Sequence, residues 1–157
     1  MANPTVTHST FVIERSYPAS PERVFAAFAD PASKRGWYAE HESMSLDEFQ
    51  MDFHPGGHDY LRYTFGPKSP FPGATLENHS TYQDIVPEQR IVVAYTMAIG
   101  GRRFSASQAT FEFVQSAAGT DLIFTEQGAF FEGADGPQMR EDGWRKLLDK
   151  LSAYLAS

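Results

Sequence analysis

The sequence contains no cysteine. That excludes disulfides, thiolate metal sites and a cysteine nucleophile. No run of apolar residues is long enough to span a bilayer. The opening MANPTVTHST has neither a basic region nor an apolar run, so no secretory signal is expected and the cytoplasm is the default location. Positive charge is scarce, with 13 Lys and Arg against 20 Asp and Glu for a net charge of −7. Such a chain repels phosphate backbones, so nucleic acid is not an expected partner. Repeats, low-complexity tracts and linkers are missing. So are GxSxG, a P-loop and a dinucleotide fingerprint, and Gly100-Gly101 reads as a hairpin turn rather than a phosphate cradle. No cofactor is expected.

What the chain does have is rings. Its 157 residues suit one domain, residues 1–157, with one core. Aromatics reach 14%, with 13 Phe and 7 Tyr. That is more ring volume than a small core requires, and it points either to a lined cavity or to a phenylalanine-rich core.

Patterning along the chain is legible. TVTHSTFVIERSY alternates, with Phe11, Ile13, Arg15 and Tyr17 against Val12, Glu14 and Ser16, and predicts a strand. In PASPERVFAAFAD, Ser20 is a natural N-cap and Pro21 fits the first helical position. Asp30-Pro31 repeats that signal and predicts a second short helix carrying Trp37 and Tyr38. Six strands follow: SLDEFQMDF, HDYLRYTFG, ENHSTYQDIV, QRIVVAYTMA, RFSASQATFEFVQ and TDLIFTEQGAF. Between the second and third lies the loop GPKSPFPGAT. At the end the period changes: Trp144, Leu147, Leu148, Leu151 and Leu155 recur at helical spacing, with Arg145, Lys146, Asp149 and Lys150 on the other side. Gly143 costs about 1 kcal/mol in that helix, which suggests close packing against it. Six strands joined by short turns imply an antiparallel meander, and the terminal helix is its only long apolar cover. A curved sheet around one helix leaves a gap near the short helices.

The order of elements, the opening TFVIERSYPASPERVFAAFADPASKRGWY, the turn IVPEQRIVVAYTM, the pair ATFEFVQSAAGTDLIFTEQGAFF and the closing GWRKLLDKLSAYL resemble the helix-grip superfamily. This is the lipid-transfer START, polyketide-cyclase and pollen-allergen-like group. Within it, the sequence is similar from Thr5 to Ala156 to the bacterial branch related to the C-terminal domain of the activator of the ninety-kilodalton heat-shock chaperone's ATPase. The resemblance implies an α+β fold: a seven-stranded antiparallel sheet gripping the C-terminal helix around a hydrophobic pocket. Members carry lipids or hormones, cyclise polyketides or assist a chaperone, the last a link to the stress response. The chain has no counterpart of the activator's second, N-terminal domain, so the expected partner is a small hydrophobic molecule rather than the chaperone.

The candidate site centres on Glu126. In LIFTEQGAFF it shares a strand face with Leu122 and Phe124, so its carboxylate should point where they point. Facing a dry pocket, its pKa should rise. Near water, or paired with Arg15 or Arg62, it would be ordinary. His79 is its candidate partner for orienting a ligand. Trp37, Phe65, Tyr95, Phe111, Phe124 and Trp144 are the rings expected around the cavity. His54, His58 and Asp59 flank a turn with no metal-ligand spacing. A non-catalytic binding module is the main expectation. The rivals are a cyclase, dehydratase or hydrolase using Glu126, and a protein-interaction domain, co-chaperone-like or homodimeric, which predicts a large exposed apolar patch.

Overall fold

A computed structural model describes residues 5–157. Strand β1 (Thr7–Tyr17) leads into helices α1 (Pro21–Ala29) and α2 (Pro31–Lys34). Strands β2 (Met44–Met51), β3 (His58–Phe65), β4 (Thr75–Val86), β5 (Arg90–Ile99), β6 (Arg102–Ser116) and β7 (Gly119–Phe130) follow, and helix α3 (Pro137–Ala156) closes the chain. All seven strands form one antiparallel sheet in the order β1-β7-β6-β5-β4-β3-β2. Among the described residues no helix is long and apolar enough to cross a membrane.

The caps form as the sequence dictates. Ser20 Oγ accepts from the Arg23 amide at 3.2 Å, and Asp30 Oδ2 accepts from the Ser33 amide at 3.0 Å and its hydroxyl at 2.8 Å. These bonds to Ser33 hold the Asp30 carboxyl below its usual range. The second short helix differs from expectation. It ends at Lys34, and Trp37 and Tyr38 ride instead on a wider π-helical turn, Arg35–Ala39, closed by the Glu40 amide on the Arg35 carbonyl at 2.9 Å.

Register shifts at Leu46/Glu48 and Tyr82/Asp84, and opposite Met97/Ala98, place an extra residue on β2, β4 and β6 and bend those strands. Such bulges sharpen the local twist and make the sheet concave. At the β2–β3 turn, a Cβ on Gly57 would lie 2.0 Å from the Asp52 carbonyl, so only glycine fits there.

Helix α3 lies in the concavity, and its two ends meet it differently. Toward the C-terminus, Leu148 and Leu151 are fully buried among Ile13, Tyr17, Val24 and Leu122, and the Tyr17 hydroxyl donates to the Leu148 carbonyl at 3.0 Å. Burying each leucine contributes about 1.5–3 kcal/mol. Toward the N-terminus, Met139, Gly143 and Leu147 border open space. Nothing lies within 4 Å of a Cβ built on Gly143, so no close neighbour requires the glycine.

Candidate functional site

On β7, Leu122, Phe124 and Glu126 all turn inward and all are 0% exposed. The residue opposite Glu126 on β6 is Ala109, whose small side chain leaves room for the carboxyl. Glu126 Oε1 accepts from the Tyr95 hydroxyl, and also from Trp144 Nε1 at 3.0 Å. Oε2 has no hydrogen-bonding partner among the described residues, although Arg140 Nη1 lies 3.8 Å away. The cation facing Glu126 is therefore Arg140. Arg15 and Arg62 go elsewhere, to Asp149 and Glu48.

Arg140 is 6% exposed and makes five bonds. Nε and Nη2 donate to the two oxygens of Asp135 at 2.9 and 3.1 Å, Nη1 to Tyr95 and Ser107 at 3.1 and 3.4 Å, and Nη2 to Ser105 at 2.9 Å. A guanidinium has five N–H groups, so none is left over. Tyr95 is equally committed: its hydroxyl donates to Glu126 and accepts from Arg140 and from Trp144 at 3.3 Å. Burial pushes the Glu126 carboxyl above the usual carboxylate range, while the Tyr95 hydroxyl, Arg140 and the Trp144 indole pull it back. Burial and the Glu126 charge raise the Tyr95 phenol too. Burial works to lower Arg140, but Tyr95, Asp135 and Glu126 outweigh it and keep the cation charged.

Among the described residues, an inner and an outer cavity lie between sheet and helices. The inner one, about 30 Å³, is bounded by Trp37, Phe53, Ile91 and Phe111 together with Lys34, Asp59 and Tyr82. The outer one, about 220 Å³, is bounded by Leu61, Tyr63, Leu76, Met97, Arg140 and Leu147 among others. Tyr38, Tyr95 and Trp144 line both and stand between them.

Of the rings expected around the cavity, Trp37 and Phe111 line the inner space, and Tyr95 and Trp144 line both spaces. Phe124 stands one layer behind, stacked on Phe111 at 4.8 Å and met edge-on by Trp144 at 4.4 Å. Phe65 lies at the end of β3 against Phe71 in the following loop and lines neither cavity. Glu126 lines neither cavity, sealed behind Tyr95 and Trp144. The expected pairing of His79 with Glu126 is not found. His79 is on the outer face of β4, with a side chain 58% exposed, beside Glu77 and Tyr60. Asn78 and Ser80 hold the inward positions there.

Sequence reading passed over Arg140, although it lies four residues before Trp144 and therefore on the same helical stripe. It also passed over a second polar group. Lys34 Nζ donates to Asp59 Oδ2 at 2.8 Å and to the Tyr82 hydroxyl at 3.1 Å, and Tyr82 donates to the same Asp59 oxygen at 2.5 Å. Asp59 faces inward like Leu61 and Tyr63 and is only 3% exposed. Burial, then Asp59, raises the Tyr82 phenol. His54 and His58 bond to Asp52 and Thr81, and among the described residues no group of three His, Asp or Glu could hold a metal ion.

A curved antiparallel sheet closed over a C-terminal helix, with a hollow between them, is the helix-grip, START-like arrangement. The chain belongs to the family described as activator of Hsp90 ATPase homolog 1-like protein, whose model matches residues 18–156. It is 47% identical to the Mll3558 protein from Rhizobium loti, with a TM-score of 0.86, covering 96% of this chain and 99% of that one. It is 36% identical to an uncharacterized protein from Rhizobium leguminosarum, with a TM-score of 0.89, covering 96% of each chain. An AHSA1-like protein from Aeromonas hydrophila shares the fold at 18% identity and a TM-score of 0.66, covering 94% of this chain and 92% of that one. No curated protein sequence matches the chain.

Proposed function

We propose that the protein binds a small, uncharged, mainly apolar molecule in the 220 Å³ cavity under the N-terminal half of α3. The observation that carries this reading is the composition of that cavity. Leucine, methionine and aromatic side chains dominate its lining, and Arg140, the one arginine or lysine among the described lining residues, has every N–H engaged within the protein. An anionic ligand would have to displace Asp135, Tyr95 or a serine hydroxyl to reach it. Apolar walls with few polar groups are the ordinary form of a small-molecule site, and a hollow of about 150 Å³ already accepts benzene. Catalysis by Glu126 has less support, because the carboxyl reaches neither cavity. A docking surface has less as well: the large exposed apolar side chains Val12, Phe71, Val114 and Met139 sit on four separate segments.

Naphthalene titrated into isotope-labelled protein tests the proposal. Saturable chemical-shift changes are expected at Leu61, Met97 and Leu147. Gly143→Phe, placed where a Cβ meets nothing within 4 Å, should fill the space and weaken binding at least about tenfold while the folded spectrum persists. Absence of saturation, or equal binding by the variant, rejects the reading.

A further inference from the structure

The inner cavity adds a chemical requirement that the outer one lacks. Its polar end is Lys34, Asp59, Tyr82 and Ser80, drawn from α2, β3 and β4, and the Ser80 hydroxyl is taken by Asn78 Oδ1 at 2.9 Å. Both available donors converge on one carboxylate oxygen, Oδ2. The other, Oδ1, is buried and has no hydrogen-bonding partner among the described residues. A buried carboxylate oxygen without a donor is costly. Lys34 offers the complement: an ammonium has three N–H groups, and two of them bond to Asp59 and Tyr82. Lys34 Nζ also lies 5.0 Å from the centre of the Tyr38 ring, and that ring is part of the partition between the cavities.

The missing group must therefore donate to Asp59 Oδ1 and accept from Lys34. A carboxylate or phosphate fails the first condition and adds repulsion from Asp59. A ketone or ester accepts but cannot donate. A hydroxyl does both. The inner cavity, about 30 Å³, holds a group of that size and no ring. The ring must stay in the outer cavity.

We infer that Lys34 and Asp59 form an anchor for the hydroxyl of an otherwise apolar ligand, a ring alcohol or phenol whose body occupies the outer cavity and whose hydroxyl reaches past Tyr38. The inference rests on the cavity-binding proposal and specifies its ligand class. Tyr38 sits on the π-helical turn that starts directly after Lys34, so the gate and the anchor belong to one segment. Tyr38 and Trp144 meet at 5.9 Å, tilted by 34°, and the Tyr38 ring must turn aside for the hydroxyl to pass.

The test compares 2-naphthol with 2-methylnaphthalene, which replaces the hydroxyl with a methyl group of similar size. Transfer from water alone favours the methyl compound. The anchor predicts the opposite order in the wild-type protein, by about tenfold or more, because only the hydroxyl satisfies Asp59. Nuclear Overhauser contacts should connect the hydroxyl-bearing edge of naphthol to Phe53 and Ile91, which line only the inner cavity. Asp59→Asn should reduce the preference, and the wild-type ranking stands alone as a test should that variant not fold. Equal binding, or a preference for the methyl compound, means that the inner site takes water only. That result overturns the anchor and leaves the cavity proposal standing. If neither compound binds, both fall.

Discussion

Glu126 and Asp59 are buried carboxylates of matching construction in different surroundings. Each receives a tyrosine hydroxyl and a second donor on one oxygen, and each leaves the other oxygen without a hydrogen bond. Each has a cation carried on a helix, Arg140 on α3 and Lys34 on α2. They differ in what lies in front. Asp59 borders a cavity, whereas Glu126 is closed off by the residues it binds. A charge on an apolar face is therefore not by itself the mark of a ligand site. Around Glu126 the bonded oxygen holds Trp144 and Tyr95 in place as part of the cavity lining, and the unbonded oxygen is shut in behind them with Arg140 3.8 Å away. Around Asp59 the unbonded oxygen belongs to a side chain that lines the inner cavity.

The comparison can be broken most forcefully at the cations. Arg140→Ala leaves Asp135 and Glu126 facing each other without their shared partner, and should cost about 3–5 kcal/mol in chemical denaturation. Lys34→Ala leaves Asp59 with the Tyr82 hydroxyl, and should cost less, about 1–3 kcal/mol. Equal losses would mean that the two groups carry the same structural weight.

Glu126→Gln sharpens the contrast through pH. Burial raises the folded-state pKa of Glu126 above the ordinary value of 4.5. The native state then binds this proton more tightly than the unfolded chain does, and the group's contribution to stability falls as pH rises through that window. The glutamine variant lacks this dependence. Its stability relative to wild type should therefore improve from about pH 4 to about pH 7, measured as denaturation midpoints. Parallel curves would contradict the burial of an ionisable carboxyl there. Gly143→Ala touches neither carboxylate and has the smallest expected effect. It should stabilise α3 by about 0.4–1 kcal/mol, read as a rise in Tm.

How far the sequence disclosed all this depends on how local each signal is. Strands with clean alternation and glycine or proline at their ends were legible, and so were the cap-proline starts of α1 and α2. The inward aim of Glu126 followed from its two-residue spacing from Phe124. The misplacement of His79 has a local cause: the inward face of β4 carries Leu76, Asn78, Ser80 and Tyr82, so polarity does not tell its faces apart. Phe65 does continue the inward face of β3, but it lies at the strand end against Phe71 and lines neither cavity. Arg140 was hidden by its charge, although its spacing from Trp144 places it with the buried stripe. The Lys34–Asp59–Tyr82 group has no local signature at all, because its members are 25 and 48 residues apart and meet only when the sheet curves. Expected tight packing at Gly143 rested on propensity alone, and the space beside that glycine belongs to the cavity.

The origin of the partners in each ion pair has one more consequence. Both cations ride on helices and both anions on strands, so the pairs act as two keys that index the lid against the floor beneath it. An α-helix turns by about 100° per residue. Sliding α3 by a single position would turn Arg140 away from Glu126 and Asp135 and leave both carboxylates without it, and a slip of α2 would do the same to Asp59. Greasy side chains alone would tolerate several such placements. The ionic keys penalise the wrong ones, and so keep the hollow the same shape in every copy of the molecule.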